Sequence, residues 1–211
     1  MTITMSDYLT EIQFAVESAL AAIWADHDEA HHLLATLKAL KAQTEAGYAR
    51  AEAIAVNAED PDDVAMSAGT HWDTYFGPDK DRHQAAAGYD DVRARFEARQ
   101  FSLAAMSGAV LQHAKQAISM VHGGPKACPD GRLVSATQNL APVIWQARNQ
   151  ASHWEEGNLN HPVVDCFNAL GAEVDSYFFS DLYTRSLAFD VLHLMGWRSW
   201  AAFHNDLLSL A

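Results

Sequence analysis

The chain has 211 residues, 49% of them hydrophobic and 19% charged, and carries a formal net charge of −13 at pH 7. Length and apolar content suffice for a buried core without staples. The acidic balance argues against broad, sequence-independent binding to DNA or other nucleic acid, which is driven by release of phosphate counterions.

The opening "MTITMSDYLTEI" has no basic n-region, and no apolar stretch reaches bilayer length. The expectation is a cytoplasmic protein without membrane association. Its two cysteines are too few for a disulfide framework. Cys166, on an apolar helix, reads as a buried thiol, and Cys128, in a loop, as an exposed one.

Helical periodicity dominates from the first residues onward. Leu9, Ile12, Val16, Leu20 and Ile23 recur at spacings of three and four, predicting a first helix. A second is expected in "DEAHHLLATLKALKAQTEAGYARAEAIAV", rich in strong helix formers. "NAEDPDD" ends it. Residues 65–90 mix aromatics with Gly and Pro, and read as a loop with short helical turns.

From Asp91 to about Val121 one long helix is expected, its core stripe formed by Leu103, Met106, Val110, Ala114, Ala117 and Val121. "HGGPKACPDG" stops it. Asn139 caps a further helix that tolerates Pro142 in its first turn. A short helix follows over Val163–Leu170, and the tail reads as two helices hinged near Gly196. The fold class is therefore all-α, an up-and-down bundle around two long antiparallel helices. The expected organisation is an N-terminal segment, 1–90, with an irregular 58–90 connection, packed with a helical bundle over 91–211.

The stretch "WQARNQASHWEEGN", residues 145–158, carries the functional argument. At 100° per residue, Leu140, Ile144, Ala147 and Ala151 form a core stripe, while Asn149 and His153 share the opposite side. "RNQASH" fits R-N-x-x-x-H and resembles the signature of HEPN domains, compact helical bundles of toxin–antitoxin, phage-defence and RNA-processing proteins. The resemblance covers roughly residues 91–210.

It implies metal-independent RNA cleavage, in which the 2′-hydroxyl attacks the adjacent phosphate. Arg148 would hold a phosphoryl oxygen, His153 would exchange the proton, and Asn149 would orient the imidazole or bind phosphate. Ser152, Lys115 and Arg132 are candidate substrate contacts, with Lys126 a further nearby cation. No cofactor is expected.

Arg148 and His153 lie about 140° apart on a regular helix. Either the helix distorts near Trp154 or two chains share the site. The family commonly pairs its motifs at a dimer interface, which implies a homodimer with Trp145 and Trp154 near the seam. RNA and a cognate antitoxin are the other implied partners. A HEPN-derived bundle that binds a partner or ligand without catalysis is the alternative.

A rival constellation is "HDEAHH", where His27 and His31 stand one helical turn apart, a spacing that chelates divalent metals. His71, His83 or His113 would have to complete it.

Overall fold

A computed structural model describes residues 3–211 and, of Asp26, the backbone. The architecture is all-α. Among the described residues there is no strand, only a single bridge between Leu133 and Asn139. No helix among them is long and apolar enough to cross a membrane.

The chain divides into two compact units, one comprising residues 1–24 and 99–211, the other Ala25–Ala98. This is not the division at residue 90 that composition suggests. The first helix, α1 (Met5–Val56), contributes its opening turns to the first unit and the rest to the second. The reason is packing. Tyr8, Leu9, Ile12, Val16, Leu20 and Ile23 are all buried. Tyr8 Oη donates to the His113 carbonyl at 3.2 Å, and Trp24 Nε1 donates to the Trp197 carbonyl at 2.9 Å.

The second unit holds the remainder of α1, then α2 (Pro61–Thr74), a π-helical turn over Tyr75–Asp79, and α3 (Lys80–Ala98). Residues 65–90 are thus helical, not a loop. Asp60 caps α2 by accepting from the Asp62 and Asp63 amides, and Pro61 occupies the first helical position, where its missing N–H costs nothing. Pro78 is absorbed by the π turn, in which Gly77 takes the non-helical pair φ −99°, ψ −106°. Gly47 lets Thr74 pack against the α1 backbone, where any Cβ would collide with it.

In the first unit, α4 (Gln100–His122) buries Leu103, Ser107, Val110, Leu111, Ala114, Ala117 and Ile118. Met106 and Val121, expected on that stripe, are only half-buried. The helix begins afresh after a break at Arg99 (φ −98°, ψ 9°) and ends at Gly123, whose φ of 75° a β-carbon would strain. Next come α5 (Leu140–His153), α6 (His161–Glu173), α7 (Tyr177–Ser180), α8 (Ala188–Met195) and α9 (Trp200–Leu208). Phe167, Phe178, Trp197 and Phe203 fill the centre with no exposure above 2%.

Cys128 is buried too, contrary to its expected exposure in the loop. Burial raises both thiols above their ordinary range, Cys166 to about 12, so neither is a ready nucleophile.

Candidate functional site

The site is built on the end of α5. Its first two amides would be orphaned at a helix start, but Leu140 donates to the Arg132 carbonyl at 2.9 Å and Ala141 to the Asp130 carbonyl at 3.0 Å. Backbone from the preceding loop therefore caps the helix, and the Asn139 side chain does not. One face, with Leu140, Ala141, Val143, Ile144 and Ala147, enters the core.

Gln150 lies on that buried face, inside the motif, and sequence reasoning assigned it nothing. Its amide nitrogen donates to the Leu182 and Arg185 carbonyls at 2.9 and 2.8 Å, and its oxygen accepts from the Leu187 amide at 2.9 Å. Three backbone groups of the 182–187 segment are satisfied by one side chain. Gln150→Leu is expected to cost about 2–4 kcal/mol, because those groups stay buried after their partner is gone. Chemical denaturation of the variant measures this.

The helix departs from regularity at His153, with φ −134° and ψ 4°. A 3₁₀ turn over Trp154–Glu156 follows, closed by Gly157 at φ 66°. The departure lies near Trp154, but it does not bring Arg148 and His153 together. Beside it opens a polar groove of about 330 Å³, lined by Asn149, His153, Glu156, Asn158 and Asn160 over Leu159 and Val163.

His153 is 47% exposed, and its Nδ1 lies 2.7 Å from Glu156 Oε1. That bond fixes Nδ1 as the protonated nitrogen, leaving Nε2 as an acceptor with no protein partner among the described residues. The R-N-x-x-x-H pattern gives Glu156 no role. The structure gives it the place of the acid that orients an imidazole.

Arg148 faces elsewhere. Its Nε donates to Gln112 Oε1 of α4, and its Nη1 reaches Asn149 Oδ1 at 3.5 Å. Asn149 thus joins the guanidinium to the groove, but the groove is not lined by Arg148. Lys115 lies 4.6 Å from the centre of the Trp145 ring, a cation–π contact on a half-buried indole.

Arg132 is committed to structure. It grips Asp206 through Nε and Nη2 at 2.8 and 2.7 Å, and Nη2 also donates to the Met195 carbonyl at 2.6 Å. Ser152 and Trp154 line a different groove of the same unit.

The histidine pair does form, with the His27 and His31 rings 4.4 Å apart. Yet His71 stacks near Tyr48 and Trp72, and His83 stands 4.0 Å from Asp79. His113, in the other unit, has a buried Nδ1 and is held below its ordinary pKa by desolvation. Among the described residues, no three His, Cys, Asp or Glu side chains gather to hold a metal ion. The chain matches no protein-family model, and comparison with curated proteins and with solved structures gave no match.

Proposed function

We propose that the polar groove at the end of α5 is the site of a HEPN-like endoribonuclease that works without metal, in a toxin–antitoxin or phage-defence setting. One observation carries this reading. The half-exposed imidazole of His153 stands in a polar groove with Nδ1 bonded to Glu156 and Nε2 open.

In this mechanism Nε2 takes the proton from a ribose 2′-hydroxyl, whose oxygen attacks the adjacent phosphorus. The 5′-oxygen leaves, taking up a proton from water, and a 2′,3′-cyclic phosphate remains. The Asn149 amide donates to a phosphoryl oxygen. Since Arg148 of the same chain turns toward α4, a homodimer that opposes two α5 ends supplies the missing cation from the second copy. Trp145 and Trp154 lie near that seam.

The test is cleavage of single-stranded RNA in excess EDTA. Products ending in a 2′,3′-cyclic phosphate, and resistance of 2′-deoxy linkages, are expected. Sedimentation is expected to give a dimer. Absence of cleavage across varied RNAs, or a rate unaffected by His153→Ala, overturns the enzymatic reading.

A second reading, partner binding without catalysis, is favoured by a separate feature. In the 25–98 unit, Trp72, Tyr75 and Phe76 are exposed and pack ring against ring, Trp72 and Phe76 stacked at 5.7 Å. Contiguous exposed aromatics mark interaction surfaces. Such a surface fits an antitoxin as well as any other protein partner.

A further inference from the structure

The first unit carries a second groove, of about 600 Å³, which shares no lining residue with the polar groove at the end of α5. Its apolar lining includes Ala105, Gly108 and Ala151, with the rings of Phe101, Trp154 and Phe189. Phe101 is 85% exposed. That volume lies within the ordinary range for small-molecule sites.

The charges around it sum to a negative balance. Arg185 is the one cation among the lining residues, and it is doubly engaged, by Asp181 at 3.0 Å and Asp190 at 2.6 Å. Two carboxylates face one guanidinium, so that cluster is net negative. Glu155, exposed at the groove, has no partner among the described residues. An apolar body with an anionic or phosphorylated end would set its charge against these carboxylates. A cation gains from them and from the aromatic faces.

We propose that this groove binds a lipophilic organic cation, seated on the Gly108–Ala151 surface between aromatic side chains with its charge toward Glu155. Two ions of nearly the same size and shape and opposite charge test it, tetraphenylphosphonium and tetraphenylborate, each titrated into the full-length protein by calorimetry at fixed ionic strength. The phosphonium is expected to bind saturably, and the borate at least about tenfold more weakly.

Glu155→Gln is expected to weaken phosphonium binding about three- to fivefold, and Glu155→Lys by more. Gly108→Leu is expected to abolish it. A Cβ at Gly108 would sit 3.8 Å from the Ala151 Cβ, an ordinary contact, so the larger side chain occupies the groove. Thermal unfolding checks that this variant folds, and the exposed Glu155 variants keep the test independent of it.

Equal binding of both ions would show a merely apolar groove and overturn the proposal. So would an absence of saturable phosphonium binding, or phosphonium binding indifferent to Glu155 substitution. None of these outcomes depends on RNA cleavage.

Discussion

Replacing His153 by alanine is expected to slow metal-free RNA cleavage by about 10²–10⁴-fold, the usual contribution of a positioned proton-transfer group. The geometry explains why the loss falls on chemistry and not on folding. The imidazole is 47% exposed, and Glu156, its one partner among the described residues, is itself 59% exposed. Surface substitutions of this kind shift stability by no more than about 0.5 kcal/mol. The melting temperature is therefore expected to hold while the rate falls, and the two are measured on the same preparation. Glu156→Gln is expected to give a smaller loss, since an amide still bonds Nδ1 but no longer favours the developing imidazolium. A His153→Ala protein that melts early as well as cleaving slowly would mean that the side chain holds structure.

The largest stability effect is expected at Trp197. Its indole is fully buried and meets Phe203 edge-on at 4.8 Å. Its Nε1 donates to Asp206 Oδ2 at 2.7 Å, the carboxylate that Arg132 also grips. Its carbonyl receives the indole N–H of Trp24 at 2.9 Å. Trp197→Ala removes the ring and leaves a cavity at a junction of three segments, at a cost of about 3–5 kcal/mol. Trp197→Phe keeps most of the volume but strips a donor from Asp206, and is expected to cost about 1–3 kcal/mol. Urea unfolding followed by circular dichroism ranks the two, with the phenylalanine variant between alanine and wild type. Equal losses would mean that the N–H···Asp206 bond, not packing, dominates.

The helical class of the chain was legible because its apolar residues recur at three and four. The limits of individual helices were less so. The two helices expected on either side of Asp26–His27 are one, because no Gly or Pro interrupts the backbone there. Pro78 and Gly77 suggest a loop, but one π turn accommodates both and helix continues on either side. The break at Arg99 has no breaker residue to announce it.

At the site, helical spacing placed Asn149 and His153 on one side, and both line the polar groove. It also warned that Arg148 would point elsewhere, as it does. What spacing does not carry is the partner of each side chain. Arg132 meets Asp206, and Gln150 reaches the 182–187 backbone, through contacts between residues distant in sequence.

Trp24 and Trp197 belong to the same unit although 173 positions separate them. On the ribosome, which delivers the chain from its N-terminus, Trp24 emerges long before the C-terminal residues that meet it. Residues 25–98 form a compact unit from one continuous stretch, whereas Trp24 must stay without its Trp197 partner until synthesis is nearly over. Nascent chains stalled before Trp197 should therefore expose the Trp24 indole to chaperones, and release of the finished polypeptide should end that exposure.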